Sequence, residues 1–167
     1  LATNRLWGGQ YEDREGGIWL GSWTEGGVSR FDGKKFVRFA MADSLIDDRI
    51  DAFVEDNQGR MWFGTRSGVS RLEGKNWRSS PADSANFRST HFTTADGLCE
   101  NKANSAMEDH RGFLWFGSIR GVSRFDGEKF TCFTTADGLS HNHVLDIMED
   151  RQGHLWFSTF GGGVSRY

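Results

Sequence analysis

Short apolar or alternating stretches recur along this chain, and turn residues separate them. Phe36-Val37-Arg38-Phe39 and Phe130-Thr131-Cys132-Phe133 place aromatic rings at both ends of four-residue runs. Val144-Leu145-Asp146-Ile147-Met148-Glu149 and Ile50 to Val54 carry apolar residues on both alternating faces, as a strand sandwiched between two layers requires. No stretch keeps a convincing amphipathic helical period over about 11 residues. The pattern predicts an all-β chain. Asp-x-x-Gly (Asp56 to Gly59, Asp109 to Gly112, Asp150 to Gly153) suits a tight turn in which Asp caps and Gly accepts positive φ. Asp32-Gly33 and Asp126-Gly127 are hairpin signals, and Glu73-Gly74 is a weaker one.

The elements repeat as a unit. Gly16-Gly17-Ile18-Trp19-Leu20-Gly21-Ser22 returns around Trp62, Trp115 and Trp156, with a period of about 42 residues and about ten more between Trp62 and Trp115. Glu-Asp precedes each Trp, at 12–13, 55–56, 108–109 and 149–150, and Gly-Val-Ser-Arg follows, at 27–30, 68–71, 121–124 and 163–166. Four short antiparallel strands per unit at this period predict a β-propeller, whose blades bury their faces only by stacking on neighbours. The units are 1–41, 42–92, 93–135 and 136–167, the last without an outer strand. Trp is expected to pack between blades. The Arg of each Gly-Val-Ser-Arg (Arg30, Arg71, Arg124, Arg166) is expected to pair with the Glu-Asp carboxylates.

Composition narrows the function. The chain has 167 residues, 37% of them hydrophobic, and compensates with 14 Phe and 7 Trp, whose rings bury much area each. One Pro and this aromatic load argue against disorder. A net charge of −3 gives no basic footprint, so no nucleic-acid partner is expected. No apolar run is long enough to span a bilayer, and no direct membrane contact is expected. Cys99 and Cys132 are read as buried free thiols rather than a disulfide.

Motifs for catalysis are weak. His141-x-His143 with Asp146 could ligate a metal but reads better as a solvated loop. The repeated Ser has no His at a matching repeat position, and Gly161-Gly162-Gly163 leads into a strand rather than a phosphate-binding helix. No catalytic residue, metal or cofactor is expected. In a four-strand meander the Asp-x-x-Gly and Asp-Gly turns share one rim, which hardly changes between copies. The other rim varies, and there the chain carries Trp23, Glu25, Arg49, Arg66, Lys102, Arg120, His141, His143 and Phe160. Rings that stack on apolar sugar faces beside bidentate Arg are what an oligosaccharide or anion site needs. These residues are the candidate ligand-binding set.

The repeat Asp-Gly-Leu … Glu-Asp-x-x-Gly-x-Leu-Trp-Phe-Gly-Thr … Gly-Val-Ser-Arg-Phe-Asp-Gly resembles the two-component regulator propeller repeat. Residues 137–167 and 96–127 carry it most fully, 48–74 well and 1–33 partly. The resemblance implies a ligand-sensing propeller in the periplasmic part of a bacterial hybrid sensor histidine kinase anchored in the inner membrane. It also implies a ring of about seven blades, of which this chain would be an incomplete arc, completed by the rest of a parent propeller or another copy. A binding scaffold without a kinase, and a propeller hydrolase or lyase acting on polysaccharide, are the competing readings.

Overall fold

A computed structural model describes residues 9–22, 26–39, 45–74 and 87–167. It is all-β apart from two 3-10 turns, Thr94–Asp96 and Thr135–Asp137, among the described residues. Four antiparallel sheets follow the four repeats. Blade 1 contains β1 (Gln10–Glu12), β2 (Ile18–Gly21), β3 (Val28–Phe31) and β4 (Phe36–Phe39). Blade 2 contains β5 (Ile50–Glu55), β6 (Met61–Thr65), β7 (Val69–Gly74) and β8 (Phe87–Phe92). Blade 3 contains β9 (Ser105–Glu108), β10 (Leu114–Gly117), β11 (Val122–Phe125) and β12 (Phe130–Phe133). Blade 4 contains β13 (Val144–Glu149), β14 (Leu155–Thr159) and β15 (Gly163–Arg166). Each is a meander in chain order, and the first strands neighbour one another from blade to blade.

Three apolar cores lie between the blades. Trp19 packs with Phe39, Phe53 and Phe63; Trp62 with Leu98, Phe116 and Phe125; Trp115 with Leu139, Ile147 and Phe157. Trp19, Trp62 and Trp115 therefore each belong to the interface with the next blade, as the repeat predicts, whereas Trp156 in blade 4 is only partly buried. Covering decides the burial pattern. Met61–Thr65 in blade 2 is buried at every position, whereas Leu155–Thr159 in blade 4 alternates. Met148 and Val164, on the outward face of blade 4, are 57% and 60% exposed.

The Asp-x-x-Gly turn explains the motif around each Trp. Asp13, Asp56, Asp109 and Asp150 each accept the indole Nε1–H of the Trp six residues on, at 2.8 Å. The other carboxylate oxygen closes the turn; Asp109 Oδ1 takes the backbone N–H of Arg111 and Phe113. Gly59, Gly112 and Gly153 hold φ of 75°, 83° and 83°, a region costly for other residues. The Glu before Asp reaches the neighbouring blade. Glu55 accepts from Arg14 N, Glu108 from Asn57 N and Glu149 from His110 N, at 2.8, 2.9 and 2.9 Å. Glu-Asp thus ties one turn closed and clasps the turn of the preceding blade.

Two expectations are corrected. First, Cys99 and Cys132 form a disulfide, with Cα atoms 5.1 Å apart, and Cys132 is exposed. The reason is the path of the connection into blade 3. Ser123 Oγ accepts Cys99 N at 2.9 Å, which lays the Asp-Gly-Leu loop across its own blade beside β12. Second, the repeated Arg pairs with the turn Asp in blade 1 alone among the described residues. The residue four after the Asp decides this. In blade 1 it is Gly17, where any Cβ would collide with the Arg30 guanidinium, and Arg30 reaches Asp13 at 2.6 Å. In blade 2 it is Arg60, which takes Asp56 itself at 2.6 Å and leaves Arg71 to Glu73 at 3.1 Å. In blade 3 it is Phe113, which lies 4.8 Å from the Arg124 guanidinium. In blade 4 it is His154, 3.1 Å from Asp150, and Arg166 stays exposed.

These turns set the acid sensitivity. Burial opposes the charge on Asp13, but donors from Arg30, Trp19 and Gly17 outweigh it and hold the carboxyl below its ordinary value. Asp150 is also held below its ordinary value, first by the Trp156 indole and then by the backbone of His154 and Gln152. Glu108 works the other way, because burial pushes it up. A carboxylate whose folded value lies below its unfolded value of about 4 adds stability above that pH and loses it as pH falls through the folded value. Thermal melts followed by circular dichroism should therefore show the steepest loss of Tm below about pH 4. A Tm that rises over that range would contradict these hydrogen bonds.

Candidate functional site

The meander puts the Asp-x-x-Gly turns on one rim and the turns after each Trp strand on the other, together with the connections into the next blade. The second rim is stitched by backbone. Ile50 N donates to Ser22 O, Ala103 N to Thr65 O and Val144 N to Ser118 O, so each inner strand begins against the end of the previous blade's Trp strand. Gly64 permits this approach, since a Cβ there would lie 2.9 Å from Ala103 O. The repeated Ser fixes the same connections. Ser70, Ser123 and Ser165 accept the backbone N–H of Ile46, Cys99 and Ser140 at 2.9, 2.9 and 2.7 Å. Its role is therefore structural.

The candidate residues fall into small clusters along this rim. Arg120 pairs with Glu100 at 2.9 Å, its side chain 76% exposed. Lys102 lies 3.9 Å from Asp51. Arg49 meets buried Asp47 at 3.3 Å, and Asp47 also accepts from Ser67 Oγ at 2.6 Å. Burial works against the charge on Asp47, but those donors outweigh it and its carboxyl sits below the ordinary value. His143 faces Phe160 with ring centroids 5.3 Å apart, and His143 N donates to His141 Nδ1 at 3.0 Å. Phe160 is 63% exposed. Arg66 is exposed and has no ion pair among the described residues. Trp23 and Glu25 lie outside the described residues.

The structure brings together Arg120 with Glu100, Lys102 with Asp51, and His141 and His143 with Phe160. It does not gather all of them in one cavity. Two cavities beside blade 4, one of about 150 Å³ and one of about 350 Å³, are lined by none of these residues. Sequence reading passed over the acidic partners Asp47, Asp51 and Glu100. Each stands within four residues of a chosen cation (Arg49, Lys102 or Arg120) or faces it across a turn, a pairing that only the fold makes visible.

Comparison with known proteins places the repeat. The family described as two-component regulator propeller matches at residues 44–67 and 138–161. No curated protein matches the chain. Two solved structures from B. thetaiotaomicron are similar to it. One is described as the extracellular domain of a hybrid two-component system (TM-score 0.81, 20% identity, covering 100% of this chain and 22% of that one). The other is described as the extracellular domain of a one-component system (TM-score 0.71, 19% identity, 98% and 24%). An inactive virginiamycin B lyase from Staphylococcus aureus is similar as well (TM-score 0.64, 14% identity, 95% and 54%). At these identities the likenesses show the fold, and the chain spans less than a quarter of the first two. Two of the four repeats, at residues 44–67 and 138–161, match the two-component regulator propeller, and the four stacked antiparallel sheets built around the Trp turns agree with a propeller fold.

Proposed function

We propose that the chain is a ligand-sensing segment of a propeller, and that it binds an oligosaccharide or similar small polar ligand on the variable rim. One observation carries the reading. The Asp-x-x-Gly rim uses the same Asp–Trp hydrogen bond in every blade, whereas the opposite rim presents different cations, carboxylates and rings from blade to blade. Sameness suits scaffold, and difference suits recognition. Arg66, Arg120 and the His143–Phe160 pair offer exposed donors and an aromatic face of the kind sugars use. The parent protein is a two-component sensor, and binding passes a change in blade packing to a signalling domain outside this chain. The uncovered face of blade 4 takes a further blade of the parent propeller or another copy of this chain. The Cys99–Cys132 disulfide supports an oxidising, periplasmic location.

Isothermal titration with acidic and neutral oligosaccharides tests the rim. Arg66→Ala combined with Arg120→Ala should weaken binding about tenfold or more, since both can donate charged hydrogen bonds to a ligand. Thermal stability should hardly change, because both side chains are exposed. Equal affinity in the double variant would remove the rim from the reading. Turnover of the oligosaccharide would favour a hydrolase or lyase over a sensor.

A further inference from the structure

We infer that the cavity of about 350 Å³ between blades 3 and 4, on the Asp-x-x-Gly rim, is a binding site for a small organic carboxylate held by Arg124. The site is separate from the variable rim and does not depend on the reading given for it. It arises from the substitution of Phe113 where blade 1 has Gly17. There, Arg30 lies over glycine and meets a carboxylate. Here, the Arg124 guanidinium is stacked 4.8 Å from Phe113, 5.5 Å from Phe133 and 5.8 Å from Trp115, away from Asp109. Among the described residues it has no carboxylate partner, and its Nε is buried without an acceptor.

The neighbouring acids are occupied. Asp109 takes the Trp115 indole and two backbone donors. Asp126 accepts Glu128 N and Lys129 N of its own hairpin at 3.0 and 2.9 Å. Glu149 holds the backbone and the ring of His110. A cation on three aromatic faces, with Asp126 near enough to feel its charge but no carboxylate in direct contact, therefore lines a cavity that His110, His154, Gln152 and Tyr167 also border. A guanidinium's planar fork matches a carboxylate in two parallel hydrogen bonds, and the rings around it suit a flat apolar body. The volume lies at the lower end of small-molecule sites, which limits the ligand to a small acid.

Sodium benzoate is the probe and benzamide its neutral isostere, each titrated at constant ionic strength into the whole chain. The readout is the Trp115 indole N–H resonance. Benzoate should shift it saturably and benzamide should not. Arg124→Gln should weaken benzoate about tenfold or more, and Arg124→Lys should restore part of the loss. Phe113→Gly should also abolish binding, because Arg124 can then reach Asp109 as Arg30 reaches Asp13. This variant answers the question if Arg124→Gln does not fold. Equal shifts from benzamide, undiminished affinity in Arg124→Gln or Phe113→Gly, or sulfate binding as tightly as benzoate would overturn the assignment.

Discussion

Replacing Trp115 by alanine is expected to cost about 3–5 kcal/mol of unfolding free energy in urea titrations, the range for removing a large buried ring. The side chain is 2% exposed and touches three rings, with centroids 5.7 Å from Phe133, 5.7 Å from Phe157 and 5.9 Å from Tyr167. It lies in the core between blades 3 and 4, so the cavity opens where two sheets meet and neither can collapse alone. Its indole also satisfies Asp109, whose carboxylate would lose a donor. Trp156 provides the internal control. It makes the same hydrogen bond with Asp150 at 2.8 Å but is only partly buried. Trp156→Ala should therefore cost less, about 1–2 kcal/mol. A loss under about 1 kcal/mol at Trp115 would place it outside the core. Equal losses at the two positions would mean that the hydrogen bond, not the stacking of blades, carries the effect.

That contrast also shows how much the sequence could reveal. Period, strand order and Trp burial follow from local chemistry: turn residues fix where strands end, and an apolar residue on both faces of a strand demands two neighbours. The disulfide does not follow, because Cys99 and Cys132 meet only after the Asp-Gly-Leu loop has been hydrogen-bonded across Ser123. Nor does the role of the Glu in Glu-Asp, whose partner sits one repeat earlier; Glu108 and Asn57 are 51 residues apart. The Arg partners were half legible. Gly17, Arg60, Phe113 and His154 are plain in the sequence, but the fold is needed to show that this position lies between the Arg and the Asp. The variable rim was legible as a set of differences. Its internal pairs, such as Arg120 with Glu100, depend on two loops meeting across a strand end.

The ion pair that survives in blade 1 should make Asp13 a costly residue to remove. Arg30 Nε donates to Asp13 Oδ2 at 2.6 Å and its terminal nitrogen to Oδ1 at 3.2 Å, with the two side chains 6% and 0% exposed. Glu15, at 3.0 Å, is more than half exposed and cannot replace a buried counter-charge. Asp13→Ala leaves a guanidinium desolvated beside Trp19 and is expected to cost about 3–5 kcal/mol, the range for breaking a buried pair from one side. Asp109→Ala removes the same turn cap and the same indole acceptor, but no ion pair, and should cost about 1–3 kcal/mol. Adding Arg30→Met to Asp13→Ala removes the stranded charge and should recover at least about 1 kcal/mol. Chemical denaturation of the three variants and the wild type measures each step. If Asp13→Ala and Asp109→Ala cost the same and Arg30→Met recovers nothing, the pair adds nothing to the turn, and the glycine at position 17 has no bearing on stability.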